Sequence, residues 1–221
     1  MRNEDALRFD AENGLAVLAD GMGGLMAGSE ASKVAVERIY EHLEQSSAAI
    51  TDDLNAAIES AHQAISQISA AKEMASKMGS TVVIWLQSGD AWRAAWVGDS
   101  RLYRWRGRRL QQMSKDHSLA QRMLDSGEAE PGVDIEAHYG HVLTQGLGLR
   151  QPLDPGFCSG ECKPSDQRFL LCSDGLSDMV AQDKISAALE LPDLEDVADR
   201  LIGSALDMGG RDNISLILIE P

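Results

Sequence analysis

Residues 14–24 read GLAVLADGMGG, an uninterrupted apolar run that passes directly into an aspartate and a glycine-rich turn. A short run of small and aliphatic residues bounded by turn formers is typical of a buried β-strand. Asp20 then stands at the end of that strand, and the glycines after it allow the backbone to approach a bound ion or substrate closely. Because Asp-Gly is also a common turn dipeptide, this stretch gains meaning only if the pattern recurs.

The pattern of an apolar strand beside an aspartate does recur along the chain. The predicted strands Ala91–Val97 and Phe169–Cys172 are each followed closely by an aspartate, and another aspartate precedes the last predicted strand, Ile214–Ile219. If these strand ends meet at one edge of the fold, the carboxylates repel one another and need a counter-charge. Oxygen ligands without a matching His or Cys set select Mg²⁺, Mn²⁺ or Ca²⁺, so a divalent cation site is expected. Together with Asp20, the aspartates concerned are Asp99, Asp174, Asp178 and Asp212.

The remaining pattern predicts a layered α+β fold in a single domain, residues 1–221. Further strands are predicted at Thr81–Leu86 and Leu102–Trp105. Apolar residues spaced by three and four indicate two consecutive amphipathic helices between the first two strands, and a later helix at about Leu194–Met208. Strands in groups, with helices placed early and late, favour helix layers that cover sheets. The polar stretch 114–155 is expected to be a surface insertion.

Composition narrows the class of protein. The 221 residues are 43% hydrophobic and 25% charged, with a formal net charge of −15, which indicates a globular protein and disfavours nucleic-acid binding. No run approaches the roughly 18 apolar residues of a membrane span, and no apolar signal core follows Met1, so a cytoplasmic location is expected. The three cysteines have the spacing of neither a disulfide framework nor a zinc site: Cys158, Cys162 and Cys172.

Seven short motifs connect the chain with a known family. Each motif alone is weak evidence, but all seven occur in the order and rough spacing of the metal-dependent Ser/Thr protein phosphatases of type 2C. The chain resembles this family over nearly its whole length, and the methionine after Asp20-Gly21 resembles the bacterial branch. The motifs are Asn3-Glu4-Asp5-Ala6, Asp20-Gly21-Met22-Gly23-Gly24, Gly79-Ser80-Thr81, Gly98-Asp99-Ser100-Arg101, Asp116-His117-Ser118, Ser173-Asp174-Gly175-Leu176-Ser177-Asp178 and Arg211-Asp212-Asn213.

The resemblance implies a fold and a role for individual residues. The family fold is a four-layer α-β-β-α sandwich of two mostly antiparallel sheets flanked by helix pairs, which agrees with the layered α+β prediction. Asp20 would bridge two metal ions and Gly21 would offer its carbonyl oxygen to one of them. The further roles implied are completion of the other ion's site by Asp174 and Asp212, action through metal-bound waters by Glu4 and Asp5, a weaker third ion at Asp99 and Asp178, and orientation of Asp212 by Asn213.

The resemblance also implies an activity. Two Mn²⁺ or Mg²⁺ ions, with a possible third, would hold a bridging hydroxide that attacks phosphorus directly, with Asp20, Asp174 and Asp212 as the catalytic residues. The substrates would be phosphoserine and phosphothreonine proteins, and the reaction would reverse a cognate bacterial Ser/Thr kinase. No Ser-His-Asp or Cys-His arrangement suggests a covalent alternative. Residues 114–155 would correspond to the flap of the family.

Two positions depart from the family pattern. Members usually carry a phosphate-binding Arg four residues before the glutamate of the Asn-Glu-Asp motif, which here falls before Met1. The first strand and its Arg are therefore expected to be missing or to lie upstream, with Arg2 as the candidate substitute in substrate binding. Met22 stands where eukaryotic members have a histidine that protonates the leaving group, so a metal-bound water or a flap residue would take that role.

Two other functions remain open from the sequence. Intact metal ligands without the Arg would also fit a catalytically weak, metal-binding regulatory or scaffolding module of the same fold. A two-metal nuclease would use clustered carboxylates as well, but the net charge of −15 opposes binding to a phosphate backbone.

Overall fold

The computed structural model describes residues 3–23, 26–45, 50–72, 78–129, 132–149, 152–162 and 167–221. These ranges contain ten strands and seven helices. The strands are β1 (Asp5–Asp10), β2 (Leu15–Met22), β3 (Gly79–Ser80), β4 (Val82–Ser88), β5 (Ala91–Val97), β6 (Arg101–Arg106), β7 (Arg109–Gln112), β8 (Gly156–Glu161), β9 (Gln167–Cys172) and β10 (Leu216–Ile219). The helices are α1 (Ala27–Gln45), α2 (Ile50–Ala71), α3 (Leu119–Ser126), α4 (Ile135–Tyr139), α5 (Asp174–Ser177), α6 (Gln182–Ala188) and α7 (Leu194–Asp207).

The strands form two antiparallel sheets that pack face to face. In the first sheet β1, β2, β4, β5 and β8 are neighbours in that order, and β3 pairs with the end of β2. The second sheet has the order β10, β9, β6, β7. Helices α1 and α2 cover the outer face of the first sheet, and α5, α6 and α7 cover the outer face of the second. The predicted four-layer α-β-β-α sandwich is therefore confirmed.

Strand β2, which contains most of the apolar run before Asp20, is buried on both faces. Leu15, Val17 and Ala19 pack against α1 and α2, while Ala16 and Leu18 belong to the core between the two sheets. Successive side chains of a strand point to opposite faces, so a strand covered on both sides needs an unbroken apolar run. The end of this run is where the chain can return to polar residues, beginning at Asp20.

Aromatic side chains join the two sheets. Phe169 of the second sheet lies 4.9 Å from Trp92 and 5.4 Å from Trp85 of the first sheet, measured between ring centroids. The Trp92 contact is edge-to-face, a geometry that adds about 0.5–1.5 kcal/mol to the gain from burial. These contacts fix the two sheets relative to each other, and hence the relative position of their strand ends.

The predicted elements are present, with shifted bounds and several additions. The last strand begins at Leu216 rather than at the predicted Ile214, and the stretch 114–155 contains the helices α3 and α4, which the sequence pattern did not predict. Strand β1 was also not predicted, because it lies at a sheet edge where Leu7 and Phe9 are each 49% exposed. Within the described ranges no helix combines the length and apolar character needed to cross a bilayer.

Candidate functional site

The strand ends predicted to carry aspartates meet at one end of the sandwich. Asp5 begins β1 and lies opposite Asp20, near the end of β2. Strand β5 ends beside the start of β4, which is itself paired with β2, and the Asp99 turn follows at once. Strand β9 ends opposite the start of β10, so that Asp174 follows one strand and Asp212 precedes its neighbour. This end of the molecule is called the acidic end below.

Asp20 is held through its backbone by hydroxyl groups of β3 and of the residue that follows it. Its N–H donates to Thr81 Oγ1 at 3.0 Å, and its carbonyl oxygen accepts from Ser80 Oγ at 2.9 Å. Thr81 Oγ1 shares a further hydrogen bond of 2.7 Å with Ser100 Oγ, in the turn after Asp99. The backbone of Asp20 is thus fixed independently of its carboxyl group, which shares hydrogen bonds with the carboxyl groups of Asp5 and Asp174.

Burial and mutual repulsion raise the pKa values of the carboxyl groups at the acidic end. The pKa of Asp20 is raised to about 10, by burial first and then by the charges of Asp174 and Asp5. The pKa of Asp99 is raised to about 8, again by burial ahead of the charges of Asp174 and Asp116. Burial is also the largest cause of the raised pKa values of Asp5 and Asp174. With protein groups alone full ionisation is unfavourable, and a multivalent cation would reverse that balance.

Two carboxylate oxygens at the acidic end test whether a cation would fit. Within the described structure Asp5 Oδ1 and Asp174 Oδ1 are buried without a hydrogen-bond partner, while Asp5 Oδ2 accepts from Ser173 Oγ at 3.0 Å. A buried acceptor without a donor is unfavourable, and an all-oxygen donor set suits Mg²⁺ or Mn²⁺. No three His, Cys, Asp or Glu side chains in the described ranges already form a finished metal-ligand set. The argument that a divalent cation fits the acidic end therefore rests on the oxygen chemistry of these side chains and on their burial.

Glu4 reaches the acidic end across the first turn of α1. A Cβ atom at Gly28 would lie 1.9 Å from Glu4 Oε2, so glycine is the residue that leaves room for this carboxylate. The Gly21 N–H donates to the Glu4 carbonyl oxygen at 3.2 Å, and a Cβ at Gly21 would lie 2.0 Å from the Gly28 carbonyl oxygen. These two glycines bring β1, β2 and α1 together around the predicted metal-binding residues Glu4 and Gly21.

Asn213 connects Asp212 with the rest of the acidic end. Its side-chain Oδ1 accepts the Glu4 N–H at 2.8 Å, which ties the segment before β10 to β1. The predicted contact with Asp212 is made by the Asn213 backbone, whose N–H donates to Asp212 Oδ1 at 2.7 Å. A Cβ at Gly175 would lie 2.0 Å from the Asn213 carbonyl oxygen, so the turn after Asp174 packs directly on this segment.

Asp178 lies one turn beyond Asp174, and its N–H donates to the Asp174 carbonyl oxygen at 2.8 Å. The pKa of Asp178 is raised by burial of its carboxyl group and then by the charge of Asp174, although the residue as a whole is exposed. The charge of Asp178 contributes in turn to the raised pKa of Asp99. The two residues predicted for a third ion are thus electrostatic neighbours.

An ion pair beside the acidic end was not assigned a role from the sequence. Arg101 is 14% exposed and donates to Asp116 Oδ2 from Nε at 2.8 Å and from Nη2 at 2.6 Å. Asp116 Oδ1 accepts from Gln112 Nε2 at 3.0 Å, and Glu136 of α4 lies 3.4 Å from Arg101 Nη2. Both residues belong to the family motifs, but only the fold shows that they pair.

The two departures from the family pattern have different outcomes. Arg2, the candidate for substrate phosphate, lies outside the described residues. Met22 is half-buried against Gly79 and Gly146, where added Cβ atoms would lie 3.3 and 3.0 Å from its side chain. Met22 therefore packs against β3 and against the end of the stretch 114–155, and its thioether carries no proton to donate.

Comparisons with known proteins agree on one family. The family profile described as Protein phosphatase 2C matches residues 1–205. The serine/threonine protein phosphatase PstP of Mycobacterium tuberculosis is 33% identical over 220 residues, 99% of this chain, and the chain spans 42% of that relative's length. The serine/threonine phosphatase stp of Listeria monocytogenes is 31% identical over 212 residues, with 93% of this chain and 84% of the relative covered.

A solved structure gives the same result. The catalytic domain of PstP, in complex with two manganese ions, superimposes with a TM-score of 0.86 at 32% identity, covering 98% of this chain and 90% of that one. A profile match over most of the chain, relatives above 30% identity and a shared fold all point the same way. The chain belongs to the protein phosphatase 2C family.

Proposed function

We propose that this chain is a metal-dependent protein serine/threonine phosphatase, a single catalytic domain over residues 1–221 with a flap at about 114–155. The observation that carries the proposal is the acidic end. Asp5, Asp20 and Asp174 are crowded there with raised pKa values and two buried oxygens that lack donors. A cluster of this kind is unfavourable in itself and favourable around divalent cations, which the family relationship makes the expected occupants.

The same residues supply a ligand set for two ions. Asp20 and the Gly21 carbonyl oxygen would hold Mn²⁺ or Mg²⁺ together with Asp174 and Asp212, while Glu4 and Asp5 would act through water. Asp99 and Asp178 would hold a weaker third ion. Ions bound there supply positive charge that stabilises the phosphoryl oxygens and lowers the pKa of the attacking water. The protein contributes the fixed backbone of Asp20, the Asn213 bridge to Glu4 and the close packing around Gly21.

Hydrolysis by direct attack of water, without a phosphoenzyme, is part of the proposal. Cys172 is fully buried and its pKa is raised to about 12 by burial, so it is not a thiolate nucleophile. Ser173 Oγ donates to Asp5 and accepts the Ser215 N–H at 3.1 Å, which occupies it structurally. Both residues are also fully buried, so neither of the two potential nucleophiles beside Asp174 is exposed to a substrate phosphate.

The proposed substrates are phosphoserine and phosphothreonine proteins, and the reaction would reverse a cognate Ser/Thr kinase in the cytoplasm. The support is the relationship to PstP and stp, both named as serine/threonine phosphatases.

A catalytically weak metal-binding regulatory module is the second candidate. It is favoured by one observation: Arg101, which lies near the acidic end, is engaged with Asp116 and is not free to clamp a phosphate.

The test is phosphate release from a phosphothreonine peptide with Mn²⁺, with Mg²⁺ and with EDTA. Turnover that needs the metal and is lost in Asp174→Asn supports the proposal. The matched control is Asp207→Asn at the exposed C-terminal end of α7, where a negative charge is unfavourable and its removal should be harmless. Mn²⁺ binding without phosphate release would favour the regulatory module instead.

A further inference from the structure

Two histidines make the same contact at two ends of the flap region. His117 Nδ1 accepts the Gly98 N–H at 3.2 Å, and His62 Nδ1 accepts the Gly148 N–H at 3.2 Å. Both glycines have left-handed backbones, with φ of +103° at Gly98 and +79° at Gly148. The two contacts differ in the residue next to the glycine, because Gly98 is bonded directly to Asp99.

The Gly98 turn has little freedom of its own. A Cβ at this position would lie 2.7 Å from the Thr81 side chain, in a conformation that L residues rarely adopt. His117 binds the peptide groups on both sides of the Gly98 Cα, since its own N–H donates to the Gly98 carbonyl oxygen at 2.9 Å. Thr81 and His117 therefore together determine where the chain places Asp99 after the end of β5.

The imidazole of His117 is suited to accept a hydrogen bond. It is half-buried, and burial lowers its pKa, against the weaker opposite influence of Asp154 and Asp116. A neutral imidazole keeps a lone pair on the nitrogen that does not carry the proton. The Gly98 contact accordingly defines the tautomer, with the proton on Nε2.

The residue before His117 holds the other side of the same turn. Asp116 binds Arg101, two residues after Asp99, while His117 binds Gly98, the residue before it. The His117 carbonyl oxygen also accepts the Thr144 N–H at 2.7 Å, which joins the start of the flap to its far end. Asp116 and His117, at the start of the flap, thus bind the residues on both sides of Asp99.

We propose that His117 is a positioning residue for Asp99, which it holds where that carboxylate can bind a divalent cation together with Asp178. The proposal rests on the proposed function, because it assigns Asp99 to the weaker third ion. It adds that the start of the flap determines the affinity of that ion. His117 itself touches neither the ion nor the substrate.

The proposal predicts a loss of metal affinity rather than of intrinsic rate. His117→Leu keeps apolar volume and removes the acceptor, so the Mn²⁺ concentration for half-maximal phosphate release should rise about tenfold or more, as for residues that orient metal ligands. The rate at saturating Mn²⁺ should change much less. His117→Asn should restore Mn²⁺ dependence to within roughly threefold of the parent protein, because Asn Oδ1 is attached to Cγ as His Nδ1 is.

His62→Leu is the matched control, since it removes the same type of hydrogen bond from a glycine that no predicted ligand follows. It should lower the unfolding temperature about as much as His117→Leu and leave the Mn²⁺ dependence unchanged. Equal effects of the two leucine variants on Mn²⁺, or no effect of His117→Leu, would overturn the proposal.

Calorimetric titration with Mn²⁺ separates this proposal from the proposed function. The parent protein should show strong sites and a weaker one, and His117→Leu should weaken the weaker site selectively. If the parent binds Mn²⁺ but releases no phosphate, the proposed function fails while the titration still decides the role of His117. If the titration shows no site that His117→Leu weakens, including the case of no Mn²⁺ binding at all, the positioning role is wrong.

Discussion

Asp10 and Asp20 lie at opposite ends of the same β1–β2 hairpin, and their carboxyl groups have opposite electrostatics. Asp10 accepts hydrogen bonds from the Tyr40 hydroxyl at 2.6 Å and from the Asn13 side chain at 2.9 Å, and its pKa is lowered to about 2. Asp20 receives no comparable donor to its carboxyl group within the described part of the chain, and burial with the charges of Asp174 and Asp5 raises its pKa to about 10.

The opposite pKa shifts of Asp10 and Asp20 distinguish a place where the protein stabilises an ionised carboxylate from one where it does not. At the Asp10 end the protein supplies the donors that ionisation needs, so nothing external is required. At the acidic end the sheets bring carboxylates together and leave buried oxygens without donors among the described residues. Local instability that has no structural compensation is expected at functional sites, and a divalent cation is the partner proposed for this one.

The largest expected effect is on the rate of catalysis, which should depend on Asp20 at one end of the β1–β2 hairpin and not on Asp10 at the other. Asp20→Asn should lower Mn²⁺-dependent phosphate release by roughly 10²-fold or more, because it removes a charge proposed to hold the divalent cations. Asp10→Asn should leave the rate within about twofold, since Asp10 lies at the far end of the hairpin. Initial rates at saturating Mn²⁺ measure both. Comparable losses in the two variants would remove the distinction.

The next effect is on stability and concerns the backbone at the acidic end. Gly175→Ala should destabilise the protein by roughly 3 kcal/mol, because the new Cβ would lie 2.0 Å from the Asn213 carbonyl oxygen. Gly203→Ala in α7 is the control, since its Cβ would meet nothing within 4 Å and should stabilise the helix by about 0.5–1 kcal/mol. Urea unfolding reports both values. Tolerance of Gly175→Ala would mean that the packing at this end is looser than described.

The pH dependence of stability should have opposite signs at the two ends. In EDTA the pKa of Asp20 is about 10 in the folded state and 3.8 in the unfolded chain. Between these two pH values the folded state binds a proton that the unfolded chain has released. Stability of the metal-free protein should therefore fall as pH rises from about 4, and Asp20→Asn should flatten that slope. For Asp10, with a folded pKa of about 2, the contribution is lost as pH falls from about 4 through 2. Urea unfolding in EDTA between pH 5 and 9 checks the first slope, and a slope that Asp20→Asn leaves unaltered would contradict it.

The smallest effect tests the donor at the Asp10 end. Tyr40→Phe removes the hydroxyl bonded to Asp10 and keeps the ring beneath the Arg8 guanidinium, 3.2 Å from the ring centroid. The unfolding temperature should fall slightly at pH 7, and the difference should shrink steadily as the pH falls toward 2, where the folded-state Asp10 carboxyl is itself being protonated. Thermal unfolding at the two pH values measures this. A difference that persists unchanged at low pH would point to packing rather than charge.

The architecture and the aspartate cluster could be predicted from the sequence for one physical reason. A strand buried on both faces must be apolar throughout, so the polar residue at its end stands out, as Asp20 does after the apolar run of β2 and Asp174 after β9. Strand β1 lacked that signal because it is an edge strand with exposed side chains. Asp5 was accordingly found through a family resemblance and not through its periodicity.

The supports of the site could not be predicted in the same way. The Arg101–Asp116 pair and the His117–Gly98 contact join residues 15 and 19 positions apart, and the Asn213–Glu4 contact spans 209 positions. Such contacts depend on the fold and leave no local pattern in the sequence. Helices α3 and α4 were missed because they are short, although Ser118 caps α3 through the Gln121 N–H and Gly127 ends it with φ of 73°.

The most direct test of the central claim is thermal unfolding at pH 8, in EDTA and in Mn²⁺, of the parent protein and Asp20→Asn. In EDTA the variant should unfold at the higher temperature, because it removes a buried carboxyl that must take up a proton when the chain folds at pH 8. In Mn²⁺ the order should reverse, since the parent gains the binding energy of the ions and the variant gains little. A variant that is less stable in EDTA, with an undiminished Mn²⁺ shift, would contradict the claim that these crowded carboxylates are the metal site.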